Sequence, residues 1–202
     1  AAFNGLKPDE IVSDFKEHSI NGCVTICCRV SEELDDLLTI CNQNKNVHCS
    51  IGTHPCDASH PEEKKITAEY MIDQINSNDH IVGVGESGLD YYWDKATPED
   101  QKASFYKHIH VCQETGLPLI VHARDADEDI ATILTEEYKK KPYNCVMHCF
   151  SSGEKLASQA LELGFYISFS GIVTFNSAKE LQDIAKKVQH DRILVETDAP
   201  FL

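Results

Sequence analysis

A chain of 202 residues is long enough for one large domain and a sizeable core, and 42% hydrophobic with 25% charged residues is ordinary for a globular protein. A formal net charge of −15 weighs against a protein that coats nucleic acid through a broad basic face. It leaves room for an enzyme that meets one phosphate through bound cations. No apolar run approaches the roughly 18 residues of a membrane helix, and no basic segment followed by an apolar stretch reads as a signal peptide. The nine cysteines are odd in number and form no C-x-x-C pair. They read as reduced, small buried side chains rather than a disulfide framework or a structural zinc site. The expectation is a single domain over residues 1–202, cytoplasmic (nuclear also, in a eukaryote), monomeric, with no membrane and no obligate protein partner.

Pro8-Asp9-Glu10 opens a helical pattern with Ile11 and Phe15 on one face, stopped by Asn21-Gly22. Residues 23–28 are a short apolar strand. Ser31 caps a helix carrying Leu34, Leu37, Leu38 and Cys41. Residues 47–51 form the next strand, which runs into Gly52-Thr53-His54-Pro55. Ala68, Met71, Ile72 and Ile75 mark a looser helix. A third strand, residues 81–85, ends in Glu86, and residues 88–93 read as a loop. Thr97 caps a helix with Pro98 in its first turn and Asp100 completing a capping box; Phe105, Ile109 and Cys112 face inward, and Gly116 ends it. The strand from Leu119 ends in His122. Ile130, Leu134 and Tyr138 line a helix that stops at Lys139-Lys140-Lys141-Pro142. Residues 145–148 are a fifth strand. Ser151 and Glu154 form a capping box for a helix with Leu156, Ala160 and Leu163. Residues 165–169 are a sixth strand, Leu181, Ile184, Ala185 and Val188 mark a last helix, and residues 193–198 are a seventh strand.

Strands alternating with helices argue for a parallel sheet. An open doubly wound sheet and a closed barrel both fit the alternation. Candidate ligands end at least four strands, however, and they converge only if the sheet closes, so a (β/α)8 TIM-type barrel is expected. Seven strands are one short, and the first strand and the C-terminal end are expected to belong to a longer chain. Side chains alternate along a strand. Val82, Val84 and Glu86 share a face, as do Ile120 and His122, Val146 and His148, and Leu194, Glu196 and Asp198. The apolar members would fill the barrel and the polar ones would line its C-terminal rim. This gives a metal set of Glu86, His122, His148 and Asp198, with Glu196 deeper on the same face. Nitrogen and carboxylate donors without thiolate suit zinc, manganese or magnesium. Any one of these residues alone would be an ordinary hydrogen-bonding or capping residue; four recurrences at one phase favour metal. His54 ends another strand and can bind metal, contact a phosphate oxygen or shape the turn, with phosphate contact ranked first. Arg124 can face the same mouth and offer its fork to a phosphate, or make an ordinary salt bridge. Tyr91, Tyr92 and Trp93 can stack on bases or cover the rim.

Four motifs stand in order: G-E-S-G-L-D-Y-Y from Gly85, I-V-H-A-R-D-A from Ile120, M-H-C-F-S-S-G from Met147 and V-E-T-D-A-P from Val195. Together they resemble the TatD family of metal-dependent deoxyribonucleases, over essentially the whole chain. The resemblance implies a barrel that hydrolyses phosphodiester bonds of DNA through water activated by divalent metal ions, two in number (Mg, Mn or Zn). It implies endonuclease or 3′–5′ exonuclease action linked to DNA repair or DNA breakdown. The family's metal-bridging glutamate falls on Glu86, its histidine ligands on His122 and His148, its strand-eight aspartate on Asp198, and its G-x-H-P histidine on His54. Glu86, Asp198 and His54 are then the expected catalytic residues, with Arg124 and His54 against substrate. One departure stands out. The family's first-strand His-x-His pair is absent, and His108-Ile109-His110 lies within a helix, where its histidines point apart and read as surface or packing residues. Two rivals remain: a related barrel hydrolase acting on an amide, lactone or deaminable base, and a metal-free binding protein derived from the barrel.

Overall fold

The computed structural model describes Val12, Phe15 and residues 17–199, so most of the helix expected from Pro8 lies outside the described residues. The strands are β1 (Cys23–Thr25), β2 (Val47–Ile51), β3 (Ile81–Asp90), β4 (Leu119–Arg124), β5 (Cys145–Met147), β6 (Tyr166–Phe169) and β7 (Ile193–Val195). They lie side by side in chain order, each parallel to the next. Between them run α1 (Val30–Gln43), α2 (Ala68–Ser77), α3 (Pro98–Thr115), α4 (Asp127–Lys140), α5 (Glu154–Glu162) and α6 (Lys179–Lys187). A doubly wound sheet reverses its strand order at a switch point. Here the order never reverses, so the sheet curls as the wall of a barrel and carries seven of a (β/α)8 barrel's strands.

One face of the sheet is sealed by helices. Cys49, Ile51, Leu119, Val121, Cys145, Met147 and Ile167 are buried beneath the apolar stripes of α1 (Leu34, Leu37, Cys41), α3 (Phe105, Ile109, Cys112) and α4 (Ile130, Leu134). The other face carries most of the residues expected to fill a closed barrel, but not Val84: paired with Ile51 and Leu119 it lies fully buried on the helix side, and the register shift after it puts Glu86 on the opposite face. Ile120 and Val146 are only half-buried there, and Leu194 is 44% exposed. The physical reason is that β7 does not pair with β1 among the described residues, so no opposite wall covers them. All nine cysteines are free thiols, most of them buried.

Local details depart from expectation for identifiable reasons. Ser31 does not cap α1; Arg29 stands at the cap, and the Glu63 carboxylate accepts the N–H groups of Val30 and Ser31 instead. Nor does Ser151 cap α5, whose cap residue is Gly153, its N–H donating to Asp127. The largest departure is β3. The loop expected at residues 88–93 begins only after Asp90, because a register shift between Val84 and Ser87 lets the strand continue beside β4. Two glycines permit it. A Cβ on Gly85 (φ 140°) would lie 2.5 Å from the Ile120 carbonyl oxygen, and one on Gly88 (φ 150°) 2.0 Å from that of His122.

Candidate metal centre

The extension of β3 places two carboxylates, Glu86 and Asp90, beside His122 on β4. Asp90 is almost fully buried and held rigidly. Its Oδ1 accepts the N–H groups of Tyr92 (3.0 Å) and Trp93 (2.9 Å). Its backbone N–H donates to Oε1 of Gln101 on α3 at 2.8 Å, and Gln101 Nε2 donates back to the Asp90 carbonyl at 3.0 Å. His122 then bridges the acids, with Nε2 2.9 Å from Asp90 Oδ2 and Nδ1 2.9 Å from Glu86 Oε1. Burial disfavours the imidazolium, but the two carboxylates outweigh it and raise His122 to about 9. Burial likewise opposes ionisation of Glu86. Its hydrogen bond with His122 and the facing imidazoles of His54 and His148 prevail, holding it at about 2.

The same unit recurs at the ends of β5 and β7. His148 Nδ1 lies 2.6 Å from Glu196 Oε2, and Glu196 Oε1 accepts the N–H of Cys149. His148 Nε2 lies 3.5 Å from Asp198 Oδ1 and 3.8 Å from Glu86 Oε1. Burial again disfavours the charge, and Asp198 and Glu196 overcome it, raising His148 to about 11.

His54 completes the group. Its Nε2 lies 3.9 Å from Glu86 Oε1 and its ring meets His122 edge-on at 4.6 Å between centroids. One oxygen, Glu86 Oε1, therefore faces three imidazole nitrogens: one from the loop after β2, one from β4 and one just past β5. His54 Nδ1 accepts the N–H of Cys56 at 3.1 Å, so in the neutral ring Nε2 must carry the hydrogen. Burial lowers the pKa of His54, which keeps it in that neutral form.

This arrangement fits a bound cation. Nδ1 of His122 and Nε2 of His148 both look toward Glu86, while the opposite nitrogens donate to Asp90 and Glu196. Displacement of the inward proton by a cation would leave each ring with an inward lone pair and an outward N–H fixed by a carboxylate, the usual state of a metal-ligating histidine. His54, Glu86 and His122 also offer donors within 4.8 Å of one another. His54 Nδ1 is engaged by the Cys56 N–H, so His54 can meet the site only through Nε2; Glu86, His122 and His148 stand beside it with Asp198 as residues that could hold metal. Thiols do not compete, since burial pushes Cys28 and Cys149, whose environments include Glu86 and Asp198 respectively, toward the neutral form.

Arg124 is not brought into this group. Its guanidinium stacks 3.9 Å above the Tyr92 ring and 5.6 Å from that of Trp93, at the rim. There it lines an open cleft of about 690 Å³ together with Tyr91, Asp125, Asp127, Asp129 and Ser151. Sequence reasoning missed Asp90 by placing it in a loop. It saw Glu196 as a deeper member of the set, whereas Glu196 orients His148.

A parallel barrel wall whose strand ends gather imidazoles and carboxylates around one oxygen defines a class, the barrel hydrolases with a cation-binding mouth. Within it, this chain belongs to the TatD-related DNase family, whose sequence profile matches residues 2–202. It is 40% identical over 156 residues to the uncharacterized metal-dependent hydrolase YabD of Bacillus subtilis, covering 77% of this chain and 60% of that protein. Identity to the uncharacterized metal-dependent hydrolase YcfH of Escherichia coli K12 is 37% over 196 residues, covering 96% and 71% of the two chains. A relative from Shigella flexneri named 3′-5′ ssDNA/RNA exonuclease TatD is 27% identical over 195 residues, covering 96% and 73%. The fold matches the crystal structure of the TatD homolog YjjV from E. coli K12 with a TM-score of 0.84 at 23% identity, covering 98% of this chain and 76% of that one. No helix among the described residues is long and apolar enough to cross a membrane.

Proposed function

We propose that this chain carries the catalytic mouth of a metal-dependent hydrolase that cleaves phosphodiester bonds of DNA, as a 3′–5′ exonuclease or an endonuclease. The observation that carries the reading is the convergence of His54, His122 and His148 on Glu86 Oε1. The family's description as a DNase and the name of the Shigella relative support the choice of DNA. The chain spans 60% of YabD's length, so the proposal concerns the protein of which these residues form the site.

When bound, divalent cations would supply Lewis-acid charge to a phosphoryl oxygen and lower the pKa of a coordinated water. The rest falls to side chains. Glu86 supplies the central negative charge. Asp90 and Glu196 orient His122 and His148 and are committed to them and to backbone N–H groups. Asp198 is the most exposed of these acids, with 34% of its side chain open, and is therefore the carboxylate placed to take the proton of an attacking water. His54 donates its Nε2–H toward a non-bridging oxygen whose charge grows in the transition state. Arg124, stacked on Tyr92, offers a flat cationic surface to a nucleotide beside the mouth.

The test is cleavage of an end-labelled oligonucleotide by the full-length protein with Mg²⁺ or Mn²⁺, alongside metal analysis. The expected result is metal-dependent cleavage that Asp198→Asn abolishes. Turnover of an amide or lactone panel with none of DNA would overturn the substrate assignment. Binding of less than about one ion per chain would overturn the metal.

A further inference from the structure

His54 enters the site from a loop that is gripped from behind by buried polar groups. Thr53, 1% exposed, donates its backbone N–H to His108 Nε2 at 3.0 Å and its hydroxyl to Glu63 Oε2 at 2.5 Å. His108 lies on α3 with no exposed surface and hydrogen-bonds the Ser104 carbonyl through Nδ1 at 2.7 Å. That bond fixes the tautomer with Nδ1–H, leaving Nε2 bare to accept from Thr53. Glu63 is 1% exposed, and its two oxygens also accept from Val30 N–H, Ser31 N–H and the Ser31 hydroxyl. One carboxylate thus ties the start of α1 to Thr53. The next residue is fixed as firmly. His54 N–H donates to the Cys28 carbonyl at 2.9 Å, and its ring Nδ1 is occupied by Cys56 N–H. The other ring nitrogen, Nε2, lies 3.9 Å from Glu86 Oε1.

Packing alone does not account for this choice of residues. A buried carboxylate and a buried imidazole cost desolvation that apolar side chains would avoid. What directional bonds provide, and apolar contacts do not, is a set orientation for residues 53 and 54. We propose that Thr53, His108 and Glu63 are positioning residues for His54, a bracket that fixes the loop so that the Cys56 N–H meets Nδ1, which sets the Nε2–H tautomer, and so that Nε2 is turned into the site. The catalytic consequence rests on the hydrolase reading above; the tautomer does not.

The experiment uses the full-length protein and two readouts. The first is the nitrogen NMR signature of the His54 ring in metal-free protein labelled on histidine. The second is steady-state cleavage of a labelled oligonucleotide with Mn²⁺. Wild type is expected to show a single Nε2-protonated His54. Thr53→Val and His108→Leu are expected to give mixed or exchange-broadened His54 tautomers and a kcat lower by about 10- to 100-fold, with KM and Mn²⁺ affinity unchanged. Thr53→Ser, which keeps the hydroxyl, restores both. Should His108→Leu fail to fold, Thr53→Val carries the test. Ile109→Ala loosens the same helix without touching the bracket. The proposal is overturned if His54 keeps its wild-type signature and kcat in folded Thr53→Val, or if Ile109→Ala reproduces the full effect. If the protein cleaves no phosphodiester at all, the function reading fails and the NMR readout alone decides the positioning role.

Discussion

His122 and His148 are each held between carboxylates, but the walls behind them differ. His122 stands where β3 and β4 pair as far as Asp90 and Arg124, with Gln101 of α3 clamping Asp90 from outside. His148 follows a strand of three residues, and its partners Glu196 and Asp198 follow another strand of three, β7. Val195 of that strand is 85% exposed, and β7 has no further strand beside it among the described residues. The same imidazole–carboxylate chemistry is therefore built once into a core and once onto an edge. The first unit serves both fold and site. The second stands at the edge of the described sheet, with fewer strand contacts behind it.

Glu86 belongs to both units, so its loss is the largest perturbation. Glu86→Gln is expected to lower kcat for oligonucleotide cleavage on the order of 10³-fold, because it removes the charge that all three imidazoles face. The next test separates the units. Asp90→Asn should cost about 3 kcal/mol or more in urea denaturation of the ion-free protein, since it leaves buried N–H groups and His122 poorly matched. Glu196→Gln, at a carboxylate with 22% of its side chain exposed against 1% for Asp90, should cost less, yet both should weaken metal binding about 10- to 100-fold by titration. Equal stability losses would erase the distinction between core and edge.

A pH series sharpens it further. His122 rises from 6.5 unfolded to about 9 in the folded, ion-free protein, so its proton stabilises the fold fully below pH 6.5, and that contribution is lost as pH climbs through about 9. The difference in urea midpoint between wild type and His122→Asn should shrink over that window. For Glu86 the sign is opposite: its contribution is present above 4.5 and lost as pH falls toward about 2. The smallest effect is expected at the rim. Arg124→Ala should raise the oligonucleotide KM about 3- to 10-fold, with kcat and stability nearly unchanged, because its guanidinium touches the rings of Tyr92 and Trp93 and not the metal set.

Much of this was legible in the residues. Period-two alternation placed His122, His148 and Asp198 at one phase and put Glu86 with them, although Glu86 owes its face to the register shift after Val84 and not to the alternation; the structure brings those four and His54 together at one end of the sheet. What escaped did so for physical reasons. The shift between Val84 and Ser87 resets the alternation within β3, and its glycines resemble loop residues, so Asp90 was hidden. His108 was read as surface or packing. The packing half of that reading holds: it falls three residues after Phe105 and one before Ile109, on the core-facing stripe of α3, where a buried histidine needs partners for both nitrogens. That spacing was a usable signal. Glu63 offered none, since it sits in a single 3-10 turn between elements.

The strands' uninterrupted order has a further consequence, one of timing. As ribosomes release the polypeptide, everything needed for the Glu86–His122–Asp90 triad has emerged once β4 is out, and its contacts span only tens of residues. Nearest-neighbour docking of this kind is quick and requires no distant segment. His148 must await Glu196, so the mouth matures in two stages, and a nascent chain halted between them would hold His54, Glu86, Asp90 and His122 without the carboxylates that flank His148.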